Sequence, residues 1–169
     1  MANYNVSQTD NLNFLSSVSF RFNIDKAPKV TFNCQAGPLP GVSFDDISMF
    51  SPKGTVPFKI PALNWSFEDL ELRFIVDEKM ENWQEIYDWM KSTQAVEDYS
   101  SVVALDKQLT DGNLLILDST MTPIKRIDFK NLFPKSLSGL EFDSADVDAQ
   151  TITATVVFAF QSYEIASSL

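Results

Sequence analysis

The 169-residue sequence contains no histidine and a single cysteine, and its 13 lysines and arginines face 23 acidic side chains. Each scarcity excludes something. Without an imidazole there is no ordinary base to activate a serine or cysteine nucleophile. With Cys34 alone, no internal disulfide can form, which fits synthesis in a reducing compartment. Cys34 reads as a small buried hydrophobe. A formal charge of −10 argues against a face that grips nucleic acid or an anionic membrane, since both need clustered cations. Acidity serves solubility, or a surface that stays close to DNA without adsorbing it. No window approaches 18 consecutive apolar residues, and the N-terminus lacks the basic and apolar regions of a signal peptide. Glycine-rich phosphate loops, dinucleotide fingerprints and zinc spacings are also missing.

What is present is β-forming sequence rich in phenylalanine, 14 in all. At this length one domain is expected, with roughly 70% of the chain's surface buried on folding. Residues 1–13 are polar and read as an N-terminal arm, with a single domain over 14–169. Val18, Phe20, Phe22 and Ile24 alternate with Ser19, Arg21 and Asn23, which predicts a half-buried strand. Asp25–Pro28 reads as a turn, and Val30, Phe32 and Cys34 as a second strand completing a hairpin.

The Gly37-Pro-Leu-Pro-Gly41 loop is followed by two short predicted strands, Val42–Phe50 and Thr55–Ile60, turning at Ser51–Gly54. Pro57 and Pro61 confine the second to an edge or an extended arm. The pair is predicted to project as a hairpin, with Met49, Phe50, Phe58 and Ile60 as candidate contacts to another subunit. Ser66–Val76 reads as one long strand, with Leu70, Leu72, Phe74 and Val76 on one face and Glu71 and Arg73 on the other. The period then changes to 3.6. Trp83, Ile86, Tyr87 and Met90 define one face of a helix over Met80–Ser92.

Strands are expected at Asn113–Leu117 and Pro123–Phe129, the latter ended by Phe133-Pro134, with a short extended piece at Leu137–Phe142. The closing strand carries Ile152, Ala154, Val156, Phe158 and Phe160 on its apolar face. The fold class is α+β, mainly β: two packed antiparallel sheets, sandwich- or barrel-like, with one flanking helix and the projecting hairpin.

Carboxylate pairs arise by number alone. Asp45 and Asp46 are adjacent on a strand and so point to opposite faces. Asp69 and Glu71 share a face, but no nucleophile or orienting group accompanies them. Asp143-x-x-Asp146-x-Asp148 lacks the glycine and closing glutamate of an EF-hand loop and reads as a solvated turn. No metal, cofactor or catalytic residue is assigned.

Several segments, taken in order, resemble the tail tube protein family of contractile-tailed bacteriophages. They are N-L-N-F-L at 11–15, S-F-R-F-N-I-D at 19–25, F-N-C-Q at 32–35 and L-P-G at 39–41. Further on come L-x-F-x-V-D-E at 72–78, N-W-Q-E-I-Y-D-W at 82–89 and D-F-K-N-L-F-P-x-S-L-S-G-L-x-F at 128–142, then the closing T-x-T-x-V-x-F-x-F strand. The resemblance implies a virion structural protein, not an enzyme. It implies homohexameric rings stacked into the inner tail tube, assembled in the host cytoplasm, through which viral DNA passes without specific binding. Partners implied are further copies of the chain, the tail sheath protein, the baseplate or tube initiator and the tail terminator. Tube-initiator and hub subunits share the domain and remain an alternative; a monomeric ligand-binding β-sandwich is the reading from another class. If a channel is enclosed, Asp45, Asp46, Glu71 and Arg73 are the candidates for its wall.

Overall fold

A computed structural model describes residues 15, 17, 19–49, 57–93, 108–142 and 151–166. The predicted N-terminal arm, Phe50, the turn at Ser51–Gly54 and the acidic turn at 143–148 lie outside the described residues, which near the arm include Leu15 and Ser17. The described chain forms β1 (Phe20–Ile24), α1 (Pro28–Phe32), β2 (Cys34–Ala36), β3 (Val42–Met49), β4 (Phe58–Phe67) and β5 (Leu70–Ile75). After α2 (Glu81–Thr93) come β6 (Thr110–Leu117), β7 (Pro123–Leu137), β8 (Thr153–Ala159) and β9 (Ser162–Ala166). The mainly β class read from the sequence is the class observed.

Strand β7 organises the fold. It is 15 residues long and belongs to two sheets. Its first part joins sheet A, ordered β1-β6-β7-β9, and its last part joins sheet B, ordered β7-β8-β5-β2. All pairings are antiparallel. The chain turns from one sheet to the other near Asn131, which sits at φ 57, a left-handed conformation that asparagine tolerates. Gln161, between β8 and β9, answers this bend: its backbone N–H donates to Lys130 O at 3.0 Å, and its side chain accepts from Asn131 Nδ2.

The inner faces of both sheets meet in one core. Phe22, Ile24, Leu114, Ile127 and Phe129 from sheet A pack with Leu70, Leu72, Phe74, Val156 and Phe158 from sheet B, all nearly or fully buried. Gly112 marks a close approach: a Cβ there would lie 2.7 Å from Leu132 Cδ1 and 3.0 Å from Asn23 O. Beside it Asp111 accepts from Lys130 Nζ at 2.7 Å and from the Asn131 N–H at 3.2 Å, tying β6 to the bend in β7. The Lys130 hydrogen bond, with lesser help from Asn131, holds the Asp111 carboxyl below its usual value. A lowered folded value means that this stabilisation is complete above the unfolded carboxylate value near 4 and fades as pH falls through the folded one. Asp111→Asn should therefore flatten the acid limb of the stability curve while changing little of its slope near neutrality, read by denaturant unfolding at a series of pH values.

Several elements differ from their sequence reading. The expected second strand, Val30 to Cys34, is instead the helix α1 followed by β2. Pro28 at its first turn has φ preset for a helix. Val30 is fully buried while Phe32 is 90% exposed, so their i, i+2 spacing does not define a common face. Glu85 of α2 reaches across to accept the Lys29 N–H at 3.2 Å, an N-terminal cap that Ala27 cannot supply.

The long strand expected over Ser66–Val76 is divided. Residues through Phe67 belong to β4, and the chain turns at Glu68-Asp69 before β5. Gly41 and Glu68 fix this turn, with Glu68 N–H donating to Gly41 O at 3.0 Å. β7 runs past Phe133-Pro134 to Leu137. Among the described strands only β8 flanks it there, so Pro134, which cannot donate, interrupts no second ladder among them. The extended piece expected at Leu137–Phe142 is irregular after Leu137, and β9 was not anticipated as a separate strand.

The helix falls where the 3.6-residue period placed it, but its face is rotated. Asn82, Ile86 and Trp89 are buried, Trp83 and Met90 are half-buried, and Tyr87 is exposed. Asn82 takes the central place because its amide ties the helix to the end of β5. Its Nδ2 donates to Ile75 O at 2.7 Å, and its Oδ1 accepts from the Asp77 and Trp83 N–H groups. Trp83 stacks on Tyr87 and donates its indole N–H to Ser138 O at 3.1 Å. Because Trp83 is not fully buried, Trp83→Ala is expected to cost about 1–2 kcal/mol, one partly covered aromatic plus one hydrogen bond. Equilibrium unfolding in urea measures it.

Candidate assembly surface

No group of three Cys, Asp or Glu among the described residues is placed to hold a metal ion. Asp69, half of the carboxylate pair noted in the sequence, is held by Lys135 at 2.6 Å. Cys34 is half-buried, and burial pushes its thiol upward, away from the reactive thiolate. No described helix is long and apolar enough to cross a membrane.

The unusual surface is the β3–β4 hairpin. It forms its own two-stranded sheet, and all eight residues of β3 are exposed. An isolated hairpin in water needs help from packing. Here that help comes at its base. Phe67 is in ring contact with Phe160 and Tyr163, 5.6 and 5.1 Å between centroids, and these in turn touch Phe129 in the core. From Phe67 an aromatic line continues outward through Trp65 to Phe44, which stack at 5.7 Å and remain 56% and 61% exposed. Phe44 and Trp65 are direct cross-strand partners.

Beyond them the register shifts, so that Ala62, Leu63 and Asn64 together oppose Asp45, a bulge that leaves Leu63 fully exposed. Past the bulge, Ile47 pairs with Ile60 and Met49 with Phe58 on one face. Asp46, Ser48, Lys59 and Pro61 occupy the other, where Asp46 and Lys59 form an ion pair. Rows of exposed apolar and aromatic side chains on a two-edged ribbon make this hairpin the candidate interaction surface.

Of the contact candidates from the sequence, Met49 and Phe58 are adjacent and half-exposed, and Ile60 is partly covered beside Ile47. Phe44, Ile47, Leu63 and Trp65 were missed. The alternation of Val42, Phe44 and Asp46 signalled Phe44, whereas Trp65 and Leu63 were hidden by the reading of Ser66 onward as a separate long strand. The channel candidates lie in two places. Asp45 and Asp46 sit on the hairpin, while Glu71 and Arg73 share the exposed outer face of sheet B, opposite Val157 and Thr155.

No protein-family model matches the chain. It is 27% identical over 164 residues to the tail tube terminator protein of Enterobacteria phage T4, an alignment covering 94% of this chain and 90% of that one. Solved structures share its fold. The tube-terminating cap of the anti-feeding prophage superposes with a TM-score of 0.69 at 14% identity, covering 99% of this chain and all of that one. A chain in the sheath/tube terminator of an extracellular contractile injection system gives 0.65 at 16% identity over 92% of this chain and 99% of its own. A chain in the sheath–tube complex of such a system gives 0.64 at 18% identity, over 90% and 91%. Sequence and fold together relate this chain to the tube-family proteins of contractile tails, as a structural tail component.

Proposed function

We propose that the chain forms a homohexameric ring coaxial with the tail tube, stacked through its β3–β4 hairpin onto the next ring. The observation that carries this reading is the hairpin itself: an apolar, aromatic ribbon anchored in the core at Phe67 yet exposed along its length. A patch of this kind meets a different surface on the next subunit, which is the head-to-tail geometry that stacks. Within the ring, each subunit contributes a sheet to a shared barrel, so that open edges vanish. The enclosed channel passes viral DNA without gripping it, since an acidic wall repels phosphates. Asp45, Asp46, Glu71 and Arg73 are the candidates for that wall named from the sequence.

Two positions in the stack are available. The first is the repeating main tube. The second, favoured by the relative named as a tail tube terminator, is the ring that ends the tube. Negative-stain microscopy of the concentrated protein separates them. Main-tube subunits polymerise into long tubes, terminator subunits stop at single rings, and a species that stays monomeric at every concentration overturns the ring reading. In the main tube the sheath, initiator and terminator proteins of the tail are the expected partners, and at the tube's end the tube and sheath proteins are.

A further inference from the structure

We propose that the ring closes by pairing of β1 in one copy with β9 of a second copy, with Arg21 set opposite the partner copy's glutamate at position 164. This inference rests on the ring reading above and names the edges and the register that would build it. Among the described residues sheet A ends in two edge strands, β1 and β9, each five residues long, with no further strand beside them. Its four strands alternate in direction, β1 against β6, β6 against β7, β7 against β9. An even number of alternating strands leaves the two edges running oppositely. When identical copies are related by rotation about a ring axis, β9 of one therefore meets β1 of the next antiparallel, and the ladder continues unbroken.

The side chains at the two edges complement each other. On the outer face, Glu164 stands directly opposite Asp128 in the β7–β9 pairing. Like charges directly opposite destabilise a sheet. Asp128 is relieved by Arg126 at 3.0 Å, and the nearby Lys130 is held by Asp111 at 2.7 Å. Glu164 has no ion pair among the described residues. A cation on its far side, where a further strand would lie, would answer it.

Arg21 is that cation. It is exposed on the same outer face of sheet A, beside Leu115, and has no ion pair among the described residues. On the inner face the match is apolar. Ile165, 57% exposed, points to the core side beside Ile127. Along β1 a cleft of about 530 Å³ opens, lined by Phe20, Phe22 and the 90% exposed Phe32.

Faces and charge together decide the register. Residues 20 and 22 face in and residue 21 faces out, while 165 faces in and 164 faces out. Full overlap of the two strands would set Arg21 against Ile165 and mismatch both faces. A slip of one residue in either direction restores the faces, since each single step exchanges them; one direction sets Arg21 against Ala166 and leaves both charges unanswered, while the other sets Arg21 opposite Glu164 and Phe20 opposite Ile165.

A charge swap in the full-length chain tests the pairing. Arg21→Glu and Glu164→Arg each place like charges in register, and each should raise the concentration at half-assembly by about tenfold or more. The double variant, with the charges exchanged, should return to within about threefold of the original. Sedimentation velocity reads the assembly, and circular dichroism confirms that both exposed sites leave the fold intact. If both single variants assemble as the original does, or the double variant fails to recover, the β1–β9 pairing is wrong while the ring reading survives. If the unaltered chain never assembles, the ring reading itself fails. A second measurement uses geometry alone: Arg21→Cys with Glu164→Cys, in a Cys34→Ser background, should oxidise to a ladder of linked subunits, because directly opposed Cβ atoms approach to about 4.5 Å, within disulfide reach. Absence of the ladder in a sample that forms rings overturns the register.

Discussion

Replacing Phe44 and Trp65 together by aspartate should leave a folded subunit that no longer stacks. Both side chains are more than half exposed, and they stack on each other at 5.7 Å without touching the main core except through Phe67. Their loss to the subunit's own stability is therefore small, on the order of 1 kcal/mol for the aromatic pair. Their loss to an interface is large. Aromatic anchors at the centre of a contact carry about 2 kcal/mol or more each, and two buried carboxylates without partners add to the cost. A combined loss of about 4 kcal/mol weakens association roughly a thousandfold. Tubes, or capture of the ring by tube subunits if the chain is the terminator, should disappear in microscopy and co-sedimentation, while the thermal midpoint shifts by only a few degrees. Unchanged stacking would mean that the hairpin faces elsewhere.

Phe129→Ala should do the reverse: destabilise the subunit by about 3–5 kcal/mol through the cavity it leaves. Phe129 is fully buried and lies where the two sheets and the hairpin base converge. Its ring centroid is 5.7 Å from Phe22 on β1, 5.2 Å from Phe160 and 5.7 Å from Tyr163, both of which touch Phe67. Gly112 stands opposite it on β6, so that neighbouring strand supplies no side chain to fill the space. Urea unfolding gives the loss directly. Assembly should also weaken, because the hairpin base loses its footing, but only in proportion to the unfolded fraction. A loss below about 1 kcal/mol would show that Phe160 and Tyr163 collapse into the gap.

The contrast between these variants separates what the chain uses to fold from what it keeps for its neighbours. In the core, buried aromatics from both sheets share partners. On the hairpin, aromatics of the same type are left outside. Composition cannot tell the two groups apart, because phenylalanine alternates with polar residues in both.

The sequence by itself determined the strands that alternate cleanly. Phe20–Ile24, Leu70–Ile75 and Thr153–Ala159 bury every second residue, and a period of two admits few other structures. It determined the position of α2 from the change of period, and the hairpin from its proline-bounded flanks. It also carried the resemblance to tail tube proteins that the T4 relative and the shared fold now support.

Other features were decided only in three dimensions. The rotation of α2 was set by Asn82, whose hydrogen bonds to Ile75 and Asp77 outweigh the pull of Tyr87 toward the core. α1 replaced a strand because its N-terminal cap is Glu85, 56 residues away from Lys29, a contact that no local pattern contains. β7 continued past Pro134 because its flank there, open among the described strands, asks for no N–H, and flanks are a property of topology. The two edges of sheet A face the same way for the same reason. Arg21 and Glu164 lie 143 positions apart, and only the order β1-β6-β7-β9 places them on one face at opposite ends of a single sheet.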